Sequence, residues 1–290
     1  MIENYVNKLT NTINCSQKII EIDLVLSGGA FNGSYILGAL YYLKNMEEKK
    51  FIKIRRISSS SIGSILGLLY LTDNLDLFND FYKLIFNQLK KRKNLSQLLE
   101  LKNMLNDKLP DNICQLLNNK YYVCYNNIKI CKKIIKRKYQ NKEQLIDYII
   151  RSCYVPYLID YNPLYKNKYI DGMLPYFFNK KHNRQILYIN VFTPDKLYYV
   201  INVKNETINL HRILSGINDI HMFFIKNENT LMCSYVNYWY VYEYTTYYLS
   251  YIIECIILYL LYWTKSINNQ KIIKQCFKNI IRFLLKNYLL

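Results

Sequence analysis

An α/β fold with a mainly parallel central sheet is what this sequence predicts, on three observations. Two successive stretches each run from a short β-branched apolar segment, through small residues, into an apolar pattern at helical spacing. Three of only eight glycines fall within Gly28 to Gly33, at the first of those turns. Finally, 51% of the 290 residues are hydrophobic, which is enough to close a core and excludes a disordered tail or a low-complexity spacer.

Ile19 to Leu26 is rich in Ile, Val and Leu and stops at Ser27-Gly28-Gly29, the pattern of a buried parallel strand entering a turn. Tyr35, Ile36, Ala39, Leu40 and Leu43 then repeat at helical spacing, so a helix is expected from near Gly33. The second unit takes Phe51 to Ile57 as strand, Ser58 to Gly63 as turn and Ile65 to Leu71 as helix. Residues 76–141 are more polar, with basic clusters at Lys90-Lys91-Arg92-Lys93 and Lys132 to Lys138, and read as an insert or cap. Inside it, Tyr121 to Tyr125 and Ile128 to Ile130 flank Asn126-Asn127 as a hairpin or two edge strands. Lys142 to Ser152 returns to helix, while Tyr165 to Ile170 and Leu187 to Phe192 read as strands. The α/β domain is thereby expected over residues 19–195, followed by a hydrophobic and basic helical region over 196–290.

The net charge of +18 favours anionic partners, although Lys, Asn, Ile and Tyr are all abundant together and compositional bias accounts for part of it. No nucleic-acid module accompanies the basic clusters, so no specific nucleic-acid partner is expected. The eight cysteines include no CxxC pair and no histidine at ligand spacing, which suggests no metal site. Met1 to Ser16 carries no secretory pattern, and a reduced, cytoplasmic setting is expected.

Three short segments carry chemistry. Ser27 to Gly33 joins a strand end to a helix start, where free backbone N–H groups and the helix dipole favour an anion. No Lys-Ser/Thr follows Gly33, so this is not a Walker loop; the anion is a phosphate or the oxygen of a tetrahedral intermediate. Ser59 to Gly63 lies at the second strand-to-helix junction and resembles a nucleophile elbow with Ser61 at its apex, though taken alone it also reads as a serine-rich helix N-cap. Asp171-Gly172 follows a strand and by itself is an ordinary strand-ending turn. In chain order the three supply oxyanion donors, a nucleophile and a base.

With these residues in place the sequence resembles the patatin-like phospholipase family over about residues 20–195. Gly28 to Gly33 matches part of the family's glycine-rich oxyanion motif, and Gly38-Ala39-Leu40 continues its following helix. Ser59 to Gly63 matches the GxSxG elbow except at its first glycine, and Asp171-Gly172 matches the Asp-Gly-Gly/Ala turn. Ser152 and Pro156 echo an A-S-x-A-x-P stretch. The resemblance implies a three-layer patatin-like core and a serine esterase that needs no cofactor. In it Ser61 attacks, Asp171 is the general base, and the Gly28, Gly29 and Ala30 N–H groups take the oxyanion, with Gly33, Ser59, Gly63 and Gly172 supporting them. His182, His211 and His221 stand in no recognisable motif, and a Ser–Asp dyad needs none of them. Four departures, Ala30, Asn32, Ser59 and Met173, bear on activity: they predict a shifted oxyanion loop and altered access near the base. They also leave a second expectation, a catalytically impaired patatin-fold protein that binds membranes or partners.

Tyr244 to Thr264 is 21 residues long with one charge, Glu254, which permits a membrane span by length. The carboxylate near its middle and the basic tail beyond it instead favour a buried or membrane-embedded segment. Lys271, Lys274, Lys278, Arg282 and Lys286 recur every three or four residues, an interfacial-helix stripe suited to an anionic membrane surface. Membrane phospholipid is therefore the expected substrate, and peripheral or monotopic attachment the expected location, with single-pass anchoring the alternative.

Overall fold

The apolar run after Ile19 forms β1 (Ile20–Leu26), whose last five residues are buried on both faces because they lie inside the sheet: Ile22, Leu24 and Leu26 enter one core while Val25 enters another. This computed structural model describes residues 1–13, 19–92, 94–106, 108–181, 183–200, 202–203, 206 and 208–266, with residues 275, 279, 280, 283 and 287 beyond them. The remaining elements are α1 (Ile2–Thr10), α2 (Gly33–Glu48), β2 (Ile52–Ser60), α3 (Ile62–Leu71), α4 (Leu77–Arg92), α5 (Leu101–Asn106), α6 (Ile113–Leu117) and β3 (Tyr121–Asn127). There follow β4 (Lys132–Lys136), α7 (Lys142–Ser152), β5 (Tyr169–Ile170), β6 (Gln185–Ile189), α8 (Pro194–Leu197), α9 (Leu210–Lys226), β7 (Cys233–Tyr235) and α10 (Val241–Ser266). The sheet runs β4-β3-β2-β1-β6-β7, with β3, β2, β1 and β6 parallel and the outer pairs antiparallel. The larger core joins the sheet to α2, α3, α7 and α9. The opposite face is closed by an aromatic cluster around Tyr122, Phe178 and Tyr188, on which Phe177 and Trp239 pack.

Both strand–turn–helix units form, with shifted limits. The second strand does not stop at Ile57: Ser58, Ser59 and Ser60 continue β2, paired to β1 or β3, and the turn shrinks to Ser61. Asn126 and Asn127 belong to β3 instead of a turn, and the antiparallel partner is Lys132–Lys136, not Ile128 to Ile130. Of Tyr165 to Ile170 only the last two residues form a strand. Asn141 caps α7, its side chain accepting the Gln144 N–H at 2.8 Å.

Two expected boundaries also move. The 76–141 stretch divides into helices and the sheet strands β3 and β4, because β3 pairs in parallel with β2. The α/β core does not end at residue 195: β7 pairs with β6, and α9 packs against α2. That helix crossing is very close, since a Cβ on Gly38 would stand 2.0 Å from the Ile213 carbonyl oxygen and one on Gly216 would stand 2.0 Å from that of Tyr35. Sequence periodicity does not reveal such a contact, because its two halves lie 178 residues apart.

The apolar C-terminal segment forms α10, and Val241–Trp263 is long and apolar enough to cross a membrane. Glu254, Leu258 and Leu261 turn inward, whereas Leu249, Ile252, Ile253, Ile256, Leu260 and Trp263 are exposed. Lys271, Lys274, Lys278, Arg282 and Lys286 lie outside the described residues.

Candidate active site

One edge of β3 brings the two halves of the site together. Along it β2 pairs with Tyr121 to Cys124 and ends with Ser60 opposite Cys124, while β5 pairs with Asn126 and Asn127 from the other direction. Both β4 and β5 pair with Asn126, so they occupy opposite sides of β3, and β5 shares its side with β2. The chain leaving β2 therefore meets the chain leaving β5, Ser61 against Asp171 and Gly172. Gly172 is pressed onto the strand: a Cβ there would stand 2.1 Å from the Cys124 carbonyl oxygen.

Ser61 is the single residue between β2 and α3, with φ 50° and ψ −134°, a region that L residues rarely adopt. Its surroundings hold it there. The Ser61 N–H donates to Ser152 Oγ at 3.0 Å, Ser152 Oγ donates to the Cys124 carbonyl, and Ser64 and Ser152 share a hydrogen bond of 2.9 Å. Gly63 permits close packing, since a Cβ there would stand 2.5 Å from the Ser27 carbonyl oxygen. Ser59 is fully buried, and its hydroxyl is engaged by Tyr121 and Ser64.

Asp171 is held by three bonds around its backbone and one oxygen. Its N–H donates to the Tyr154 carbonyl at 2.8 Å, its carbonyl accepts from Asn126 Nδ2 at 2.9 Å, and Oδ1 accepts the Met173 N–H at 2.7 Å. Oδ2 is buried and makes no directed hydrogen bond to a described residue. Burial pushes the carboxyl pKa up to about 6, against the opposing pull of the Ser61 hydroxyl and the Met173 N–H; Glu254 adds to the rise and Lys133 lowers it. The hydroxyl is thus close enough to lower the carboxyl pKa although Oδ2 closes no directed hydrogen bond to it.

The loop after β1 lies beside Ser61: a Cβ on Gly28 would be 2.8 Å from Ser61 Cβ and 3.6 Å from its Oγ. Gly29 has φ +152° and Ala30 has φ 46°, so the chain twists and points successive N–H groups outward. Those of Gly28, Gly29 and Ala30 donate to no described acceptor, while Gly33 begins α2. The arrangement offers free donors, a strained hydroxyl and a buried carboxyl of raised pKa within one small volume.

Residues 24–176, more than half of the chain, match the family described as Patatin-like phospholipase. The chain belongs to the patatin-like phospholipase family. None of the curated proteins matches it significantly. The matched segment runs from inside β1 to just past Asp171, and so contains the Gly28–Gly33 loop, Ser61 and the Asp171-Gly172 turn of this patatin domain.

Of the four departures from the patatin-like pattern, Asn32 and Ser59 have structural explanations, and nothing in the structure explains Ala30 or Met173. Asn32 is fully buried and acts as a connector: its Nδ2 donates to the Val191 and Lys196 carbonyls at 3.1 and 2.9 Å, and its Oδ1 accepts from Arg212 Nη1 at 2.8 Å. Arg212, buried in α9, also holds the Tyr199 and Asn202 carbonyls and the Glu206 carboxylate. Nothing near Arg212 in the sequence signals this role. Ala30 carries its methyl at a position of positive φ, and Ser59 is absorbed into β2. Met173 packs toward the cluster of Ile128, Ile170, Leu258 and Leu261.

Ser61 opens onto an apolar cavity walled by Ile65, Phe78, Phe81, Ile85, Leu95 and Leu158 among others. Helix α4 supplies three of these, so part of the 76–141 stretch roofs the cavity. His221 is hydrogen-bonded to the Tyr42 hydroxyl and His211 is exposed beside Glu206, while His182 lies outside the described residues.

Proposed function

We propose that this protein is a lipid acyl hydrolase of phospholipase A type, which cleaves ester-linked fatty acids from membrane phospholipids through Ser61 and Asp171. The observation that carries the reading is Ser61 itself: a strained serine at the mouth of an apolar cavity, beside a buried carboxyl whose pKa is about 6. Ser61 Oγ attacks the ester carbonyl as Asp171 takes its proton, and the N–H groups of Gly28, Gly29 and Ala30 receive the oxyanion. Collapse of the tetrahedral intermediate expels the lysolipid alkoxide, to which Asp171 returns the proton. Water, deprotonated by Asp171, then attacks the acyl-enzyme carbonyl, and Asp171 returns that proton to Ser61 Oγ as the C–Oγ bond breaks and the fatty acid leaves. The cavity suits an acyl chain because its walls are largely apolar and offer contact with few polar groups to desolvate.

A fluorophosphonate probe is expected to add covalently to the wild-type protein and not to Ser61→Ala, as read by intact mass. A folded wild-type protein that forms no adduct would reject the reading in favour of a silent patatin fold that binds membranes or partners. Because Asp171 must be ionised to act as a base, kcat/KM on a soluble ester is expected to rise with pH and reach half its plateau near pH 6. A flat profile between pH 5 and 8 would exclude Asp171 as the base.

The outer face of α10 is proposed as the lipid-contacting surface, with the anionic membrane as its partner. Support comes from its exposed Leu249, Ile252, Ile253, Ile256 and Trp263 and from the net charge of +18. Replacing Ile252 and Ile256 together by Glu is expected to reduce flotation with phosphatidylserine-containing vesicles at least about tenfold. Equal flotation of the two proteins would reject that face as the contact.

A further inference from the structure

The single charge in the middle of α10 points into the domain. Glu254 is 2% exposed; its Oε1 accepts from Asn126 Nδ2 at 2.8 Å and its Oε2 from Lys133 Nζ at 2.7 Å. Asn126 and Lys133 are directly opposite one another on β3 and β4, so their side chains rise from the same face of the sheet. Each has a second hydrogen bond to the turn after β5. Asn126 Nδ2 also donates to the Asp171 carbonyl at 2.9 Å, and Lys133 Nζ to the Leu174 carbonyl at 2.8 Å. The Asp171–Leu174 turn is thus gripped at both ends by groups that share one carboxylate.

The chemistry of Asn126 makes this arrangement directional. Both partners of its nitrogen are acceptors, so only the NH2 end can face them, and Asn126 Oδ1 is buried with no partner among the described residues. With Glu254 present, a flip of the amide would set oxygen against a carboxylate and against the Asp171 carbonyl. Without Glu254, half of that restraint is gone. Leu258 and Leu261 extend the same face of α10 onto Ile128 and Ile170, which fixes the helix where the carboxylate can reach. A buried carboxylate in the apolar middle of a helix is unfavourable unless paired, and this one is paired on both oxygens.

We propose that Glu254 is a positioning residue for the candidate base: through Asn126 and Lys133 it holds the Asp171–Leu174 turn, which makes docked α10 part of the active site's support. The proposal rests on the reading that Asp171 serves Ser61, and it has a readout that does not depend on activity. The Asp171 and Gly172 N–H groups donate to the Tyr154 and Ser152 carbonyls, so their hydrogen exchange reports whether the turn is held.

In the full-length protein, Glu254→Ala is expected to speed exchange in a peptide covering residues 169–176 at least about tenfold, with protection of β1 and α2 unchanged. On a soluble short-chain ester it should lower kcat about tenfold with little change in KM. Glu254→Gln, which keeps an acceptor for Asn126, should recover most of both. Asn126→Ala should reproduce the loss and add little when combined with Glu254→Ala, because the two act through one linkage. Unchanged protection of residues 169–176 in both Glu254→Ala and Asn126→Ala would overturn the proposal, and so would loss of protection that is as large in β1 as in the turn. A wild-type protein without esterase activity would instead reject the proposed function and leave the exchange data to judge the linkage.

Discussion

Asp171→Asn is expected to reduce ester turnover by at least about 10³-fold in kcat while leaving the protein as stable at pH 7 as the wild type, or more so. The activity loss follows from removing the only carboxylate placed against Ser61 among the described residues. The stability change follows from the sign of the pKa shift. Burial raises the folded-state pKa to about 6 from an ordinary 3.8, so between those values the folded protein keeps a proton that the unfolded chain has released. Stability is therefore greatest below about pH 3.8 and falls as pH rises toward 6, by on the order of 3 kcal/mol for this group. Asparagine does not ionise, so the difference in urea-unfolding free energy between variant and wild type should grow in the variant's favour from pH 4 to pH 7. Ser61→Ala should lose comparable activity without that pH-dependent gain. Turnover retained by either variant would remove its residue from the proposed mechanism, and a pH-independent stability difference would contradict the buried, ionised Asp171.

Arg212→Leu is expected to destabilise the fold by about 3–5 kcal/mol, the loss typical of removing one partner from a buried charged network. The guanidinium is fully buried and ties Asn32 Oδ1, two backbone carbonyls and the Glu206 carboxylate together. Leucine replaces some of the packing but leaves those acceptors without their donor. The effect should reach the site, because Asn32, two residues after Ala30, in turn anchors the loop of Gly28 to Ala30 to the Val191 and Lys196 carbonyls. Arg212→Lys keeps the charge without the planar fork, and is expected to lose less stability while still lowering kcat several-fold. Urea unfolding and kcat measured on the same preparations test both statements. A change below about 1 kcal/mol would mean that the network contributes little to holding the loop.

Much of the site is legible in the sequence because its decisive pieces are local. A strand, a tight turn of small residues and a helix occupy consecutive positions at Ile20–Glu48 and again at Ile52–Leu71, and the apolar patterns and glycines that specify them lie within a few residues of the turns they shape. Ser61 at its apex, the free N–H groups after β1 and the Asp-Gly turn were all readable in this way. Limits were less so: Ser58 to Ser60 look like turn residues, yet they are strand because β1 and β3 supply the pairing on either side.

By itself, then, the sequence determined the α/β class, the order of the three motifs and the apolar character of the C-terminal segment. Only the tertiary structure decided which distant groups support them. Asn32 looks like a lost cation until Arg212, 180 residues later, meets it; Glu254 looks like a misplaced charge in an apolar helix until Asn126 and Lys133 close on it. The physical reason is one of range. Backbone conformation and periodicity are set by neighbours in the chain, whereas the partner of a buried polar side chain is chosen by packing, and packing brings together residues whose spacing leaves no pattern to read.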